Sequence, residues 1–204
     1  MSKWLFAKLL PYASRRHERL VADRKRELFA TLGAHDVVVE LGAGTGPNFR
    51  YYPPTIQWIG IEPNGFLNPA LTEASRGFNT RILELAAESI PLGDGIADAV
   101  VCTLVLCSVA DPKLVLCEVL RVLKPGGRFY FIEHVGARRG SGLRLVQQIV
   151  QPIWKLCADG CRTCRDTALS LQNAGFEQLE LQAFTLPLGI FSPHVAGVGI
   201  KRHA

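Results

Sequence analysis

An α/β fold built on a mainly parallel sheet is predicted by three features of the sequence. Short apolar runs alternate with segments of helical period, the first such run passes directly into a glycine-rich turn, and the last two runs lie too close together to enclose a crossover helix. With 204 residues, 48% of them apolar and 20% charged, the chain can bury one full core. One domain is expected over 31–204, with a basic, amphipathic arm and helix over 1–30 belonging to it.

Residues 17–32 carry Leu20, Leu28, Phe29 and Leu32 among charges and precede Gly33, which predicts a helix closed by a glycine C-cap. Val37 to Leu41 reads as the first strand and Ile56 to Ile61 as the second. Between Asn64 and Arg76, Pro69 makes either a short helix or one that begins again at the proline. Ile82 to Leu85 and Ala97 to Cys102 are the next strands. Asp111-Pro112 opens a helix with proline in its first turn, and Lys124-Pro125-Gly126-Gly127 stops it before a fifth strand, Arg128 to Val135. Leu143 to Leu156 is helical with an interruption expected near Pro152. Thr163 and Asp166 have capping-box spacing ahead of a helix that Gly175 closes. Residues 178–184 and 195–200 are the final strands, pairing antiparallel or lying apart.

The net charge of +5 suggests nucleic acid until it is located. Residues 1–30 hold eight Lys/Arg and three Asp/Glu, so the remaining chain is neutral and an RNA-binding surface is not expected. No apolar stretch reaches the roughly 18–20 residues that span a bilayer. The run from Trp4 to Leu10 stops at Pro11 and has no secretory-signal pattern, so neither a transmembrane anchor nor export is expected. A cytoplasmic protein with six reduced cysteines follows.

The turn Gly42-Ala43-Gly44-Thr45-Gly46 follows Glu40-Leu41 and lets the backbone press against a ligand. A dinucleotide fingerprint counted from Gly42 needs glycine where Pro47 stands, which disfavours NAD and FAD, and no Walker Gly-Lys-Ser/Thr follows. An adenosine cofactor without pyrophosphate, S-adenosyl-L-methionine, suits the turn. Glu62, 22 residues after Glu40 and at a strand's C-terminal end, has two oxygens for two ribose hydroxyls. Glu88, after Ala87, either reaches the adenine amino group or faces water.

These residues carry a family resemblance. The run from Val37 to Gly46, Gly60-Ile61-Glu62-Pro63-Asn64, Ala87-Glu88-Ser89-Ile90-Pro91, the strand at 97–102 and Arg121 to Gly127 resemble the successive motifs of class I, Rossmann-like S-adenosylmethionine-dependent methyltransferases over about residues 20–201. The resemblance implies a seven-stranded sheet of order 3-2-1-4-5-7-6, the last strand antiparallel, with helices on both faces. Pro63 and Asn64, inside these motifs, and Asn48 and Thr103, just beyond them, complete the expected cofactor contacts. Cys102 to Val109, Phe129 to Val135 and Asp159-Gly160-Cys161 are similar to the methyltransferase-like proteins whose animal members methylate alkyl thiols. Those members carry an N-terminal hydrophobic anchor, for which this chain has only residues 4–10, so membrane residence is not carried over.

The acceptor implied is a small molecule, an alkyl thiol or hydrogen sulfide, with a lipid or quinone-like acceptor and a non-catalytic cofactor-binding role as alternatives. In-line methyl transfer needs no metal. His134, expected to face the cofactor crevice, is either a base or a loop anchor, and Asp159 either shapes the acceptor pocket or caps a helix. Cys102, Cys107 and Cys117 read as buried small hydrophobes, with Cys107 a candidate for the pocket floor. Cys157, Cys161 and Cys164 have a cluster-ligating spacing in the wrong sequence context, so neither iron–sulfur nor zinc is expected there. Trp4, Phe6, Leu9, Leu10 and Tyr12, mixed with basic residues, form a lid, a docked helix or a peripheral contact with an anionic membrane.

Overall fold

The computed structural model describes residues 2–203. Its first element is a single helix, α1 (Lys3–Phe29), capped by the Ser2 hydroxyl, which accepts from the Leu5 amide. Proline lacks the amide that the helix ladder uses, which is why the sequence predicts a start only at residue 17. The helix nevertheless continues through Pro11, and tertiary bonds hold its first turns. Lys3 Nζ donates to the Pro63 carbonyl at 2.8 Å, and the Asn64 side chain donates to the Lys3 carbonyl at 3.1 Å. The arm is thus a docked helix. It ends at Phe29 rather than at 32, and Gly33 instead donates its amide to the Asp36 carboxylate at 2.7 Å.

The remaining elements are β1 (Val37–Leu41), β2 (Gln57–Ile61), α2 (Asn68–Ala74), β3 (Asn79–Leu83), β4 (Ala97–Thr103), α3 (Pro112–Val122), β5 (Leu123–His134), α4 (Gly142–Cys157), α5 (Thr167–Gln172), β6 (Gln178–Thr185) and β7 (Pro193–Ile200). The strands form one sheet of order β3-β2-β1-β4-β5-β7-β6. Strand β7 runs antiparallel to β5 and β6, and every other pairing is parallel. This is the topology that the resemblance implies.

Several boundaries differ from the sequence reading, each for a tertiary reason. Strand β3 starts at Asn79 rather than Ile82, because parallel pairing matches Gln57 with Asn79 and Ile61 with Leu83. Strand β5 starts at Leu123, which pairs with Ala97 before the register shifts. Pro152 does not interrupt α4. Thr163 and Asp166 form no capping box. Asp166 is held by Arg139 at 2.6 Å and Arg144 at 2.9 Å, and the Thr163 hydroxyl donates to the Gln147 carbonyl at 2.7 Å. Of the two readings for 64–76, the restart is the one seen, as a 3-10 turn leads into α2 with Pro69 in its first turn.

Neighbouring residues of the central strands enter opposite faces of the sheet, and both faces are covered. Val39, Val100, Cys102, Phe129 and Phe131 pack with Val115 and Val119 of α3. Val38, Ala99, Val101 and Tyr130 pack with Phe29 of α1, Trp58 and Leu71. Burial on both sides is why these strands are apolar without alternation. Among the described residues no helix is long and apolar enough to cross a membrane.

Trp58 and Gly60 share one face of β2, and a Cβ at position 60 would overlap the indole ring. Gly60→Ala is therefore expected to lower unfolding free energy by about 1–3 kcal/mol in denaturant titration. An unchanged midpoint would show that the ring has room to move.

Candidate active site

The turn after β1 is built from left-handed glycines, with φ of 59° at Gly42, 59° at Gly44 and 75° at Gly46. Each serves a different neighbour. A Cβ at Gly42 would overlap Val105, and one at Gly46 would lie 2.8 Å from Ala74 Cβ. At Gly44 the nearest atom would be Leu10 Cδ2 at 3.7 Å, so this glycine keeps space open between the turn and α1. That space belongs to a cleft of about 360 Å³ at the C-terminal ends of the parallel strands, the usual ligand position in such sheets.

Of the residues expected to bind cofactor, Glu40, Gly42, Ala43, Gly44, Asn48, Glu62, Pro63, Ala87, Glu88 and Thr103 line this cleft, as does Asp159. Gly46 and Asn64 do not. Gly46 packs against α2, and Asn64 is fully buried with its side chain on the Lys3 carbonyl. Glu62 accepts the Gly44 amide at 2.8 Å on one oxygen and the Asn64 amide at 2.9 Å on the other. A carboxylate has about four acceptor positions, so capacity remains for two hydroxyls. Burial raises the Glu62 pKa, and the two amides work against that rise. Glu88 accepts the Ala110 amide at 2.7 Å, which places its carboxylate at the cleft edge rather than free in solvent.

Glu40 supports the turn from beneath. Only 2% exposed, it accepts Asn48 Nδ2 at 2.8 Å, Tyr52 Oη at 2.8 Å and Trp58 Nε1 at 2.9 Å. Burial raises its pKa against those three donors and the charge of Lys25. Asn48 also lies 3.4 Å from the Thr103 hydroxyl, joining the ends of β1 and β4.

The opposite wall is the loop after β4, and its organiser is Glu133, which the sequence reading passed over. One of its oxygens accepts the Val105 amide at 2.8 Å and the Leu106 amide at 3.0 Å. Desolvation pushes this carboxyl up to about 7, the backbone amides opposing. Leu104, where the strand turns into the loop, has φ of 58°, and Asp159 has φ of 46°. These non-glycine residues in left-handed conformation line the same cleft. Such conformations cost of order 1–3 kcal/mol each and collect at working sites. Asp159 follows the end of α4 and is no N-cap for α5, whose N-cap residue is Asp166.

His134 does not face the crevice. Along β5 the side chains alternate, so Glu133 points at the loop and His134 at the other face. There its Nε2 lies 3.0 Å from Cys161 Sγ, and its ring packs edge-on against Phe191. Cys107 is buried beside Cys161 but does not line the cleft, and Cys117 is exposed rather than buried. Cys157 is exposed too, and Cys164 bonds Gln151, so the three C-terminal cysteines do not converge.

Helix α1 supplies two residues already singled out in the arm, Phe6 and Leu10, and two that no motif marks, Ser14 and His17. All four line the cleft. The Ser192 carbonyl, 3.1 Å from His194 Nδ1, can only accept, so that nitrogen carries the proton. Nε2 of neutral His194 is then an acceptor, and His17 Nε2, 3.2 Å away, must donate to it. His17 Nδ1 is left as an acceptor on a residue of the cleft wall.

An open glycine cradle, a strand-end carboxylate with spare acceptor capacity, and an apolar wall at Ala87 and Leu104 fit S-adenosylmethionine. The fold matches the crystal structure of an S-adenosylmethionine-dependent methyltransferase from Thermotoga maritima with a TM-score of 0.67, over 98% of this chain and 100% of that one at 24% identity. Residues 39–131 match the family model described as a methyltransferase domain. The protein is thus a class I, Rossmann-like S-adenosylmethionine-dependent methyltransferase. Over 97% of its length it is 38% identical to the human thiol S-methyltransferase TMT1A, covering 88% of that protein. It is 39% identical to human TMT1B, again over 97% of this chain and covering 85% of the relative. The chain belongs to this methyltransferase family.

Burial first, then His194, Lys25 and His134, bring the His17 imidazole down to about 3. Burial chiefly, offset in part by the Ser192 carbonyl, brings His194 down to about 4. The unfolded chain takes up these protons near pH 6.5, whereas the folded chain does not. Stability present above about pH 6.5 is therefore expected to fall as pH drops toward 4, by up to roughly 1.4 kcal/mol per pH unit for each histidine. His17→Leu should flatten that slope by one histidine's share in denaturant unfolding between pH 7 and 4. An identical slope in the variant would show that His17 is not held neutral by the fold.

Proposed function

We propose that this methyltransferase acts on the sulfur of a small thiol, an alkyl thiol or hydrogen sulfide. The observation carrying this reading is likeness to thiol S-methyltransferases over nearly the whole chain. S-adenosylmethionine supplies a methyl group on a positively charged sulfur; as the acceptor's sulfur–carbon bond forms, the bond to the departing thioether breaks. Glu62 would hold the ribose hydroxyls, the Gly42–Gly44 backbone would support the cofactor, and Glu88 would take the adenine amino group. Asp159, Ser108 and the α1 residues Phe6, Leu10 and Ser14 bound the acceptor and keep water out.

The thiol proton sets the pH dependence. His17 is the imidazole on the cleft wall, but taking a proton from a thiol of ordinary pKa about 8.5 onto a group near 3 costs roughly 7 kcal/mol. His17 is therefore not the base, and the acceptor enters as the thiolate that solution already supplies. The outer face of α1 carries Trp4, Leu5, Leu9 and Tyr12, all exposed, beside Lys8 and Arg15. This pattern fits peripheral contact with an anionic membrane, where lipophilic thiols concentrate.

The first test is transfer of isotopically labelled methyl to hydrogen sulfide and small alkyl thiols, with mass identification of the methyl thioether. Product on lipid or quinone acceptors, and none on thiols, would move the acceptor assignment. With saturating cofactor, kcat/KM should rise about tenfold per pH unit below the pKa of each thiol, its midpoint tracking the thiol used. One fixed midpoint for thiols of different pKa would instead reveal a protein base. Glu62→Gln should weaken cofactor binding roughly 10- to 100-fold by calorimetry, through loss of hydrogen bonds to a charged acceptor. Unchanged affinity removes Glu62 from ribose binding.

A further inference from the structure

Behind the acceptor wall lies a group of side chains that methyl transfer does not use. Cys107 follows β4, His134 ends β5 and Cys161 follows α4, and their ligand atoms lie within 4.8 Å of one another. All three are buried, at 1%, 6% and 9% exposure. His134 places Nε2 3.0 Å from Cys161 Sγ, and its Nδ1 is buried with no partner. The backbone around them is fixed independently. The Arg162 amide donates to the Cys107 carbonyl at 3.0 Å, the Cys161 amide to the Ala158 carbonyl at 2.9 Å, and Glu133 binds the amides leading into Cys107.

We propose that Cys107, His134 and Cys161 form a binding site for a single zinc ion. Zinc prefers tetrahedral sulfur and nitrogen ligands at about 2.3 and 2.0–2.1 Å, which puts ligand atoms about 3.5–3.8 Å apart. The separations present, from 3.0 Å up to no more than 4.8 Å, bracket that spacing, so side-chain shifts of about half an ångström to one ångström suffice. Charge selects the metal as well. Two thiolates and a neutral imidazole cancel the charge of a divalent ion, so burying the complex buries no net charge, whereas a monovalent soft metal would leave one negative charge uncompensated. Binding displaces two thiol protons to solvent and changes no oxidation state.

Among the described residues no fourth His, Cys, Asp or Glu joins the group, which leaves one coordination position for a small exogenous ligand. The consequence for the enzyme is local. Ser108 is next to Cys107 in sequence, Asp159 stands two residues before Cys161, and both line the cleft. Zinc would tie the two loops that carry them into one rigid wall. The C-x3-C-x2-C spacing of Cys157, Cys161 and Cys164 is then incidental, since only Cys161 belongs to the site.

The test uses the full chain, reduced, stripped of metal and kept free of oxygen. Zinc titrated in competition with a chromophoric chelator should bind at one equivalent per chain with release of two protons. Cobalt(II) in its place should give a thiolate charge-transfer band and the visible spectrum of a tetrahedral site. Cys107→Ser, Cys161→Ser and His134→Gln should each lower zinc affinity roughly 100-fold or more, while the triple variant of Cys117, Cys157 and Cys164 to Ser keeps it. Circular dichroism and S-adenosylmethionine binding establish that each variant is folded. Absent or substoichiometric binding by the folded wild type overturns the site. So does affinity that survives the Cys107 and Cys161 substitutions, or that falls in the triple variant instead.

Discussion

The structure depends most on one buried carboxylate, that of Glu40 at the end of β1. Removing an ionised carboxylate from water costs several kcal/mol unless donors replace the lost solvent. Here three donors do so, from Asn48, Tyr52 and Trp58, and each fixes a different part of the molecule. Asn48 sets the exit of the glycine turn. Tyr52 holds the segment before β2, and Trp58 ties β2 to β1 across the face that α1 covers. The turn can therefore present bare backbone to a cofactor because its shape is maintained from below.

Glu133 repeats the arrangement at the far side of the cleft. It precedes the last residue of β5, is fully buried, and takes up amides of the loop after β4 that have left the sheet ladder. Two carboxylates near strand ends thus organise the two walls, and Glu62, after β2, joins Glu40 in lining the cleft. The left-handed conformations of Leu104 and Asp159 lie on the wall that Glu133 supports. Their cost is offset by bonds that a free loop would lack.

Helix α1 closes the remaining side, and it works on two faces. Val21 and Phe29 anchor its C-terminal half in the core, whereas Phe6, Leu10, Ser14 and His17 face the cleft. The buried Lys25 ammonium meets Glu18 at 2.5 Å within this helix, so its charge does not enter the core alone. A methyl donor that must be shielded from water is served by a wall anchored in the core at one end and bonded to Pro63 and Asn64 at the other.

The sequence by itself determined the sheet, the cofactor turn and the family. Continuous apolar runs, glycines at 42, 44 and 46, and an acid at the end of the second strand are local signals with direct physical meaning, and most of the cofactor residues they marked line the cleft. Tertiary structure decided what those signals could not encode. Pro11 reads as a stop because a local rule sees a missing donor, yet contacts with Pro63 and Asn64 carry the helix past it. His134 reads as crevice-facing because it stands at the C-terminal end of a parallel strand, yet strand alternation sends Glu133 to the loop and His134 to Cys161. Cys107, His134 and Cys161 are separated by 27 residues at each step and meet only when β4, β5 and α4 end at the same place. Spacing along a chain reports which residues share an element, while convergence of separate elements is set by how their faces are buried.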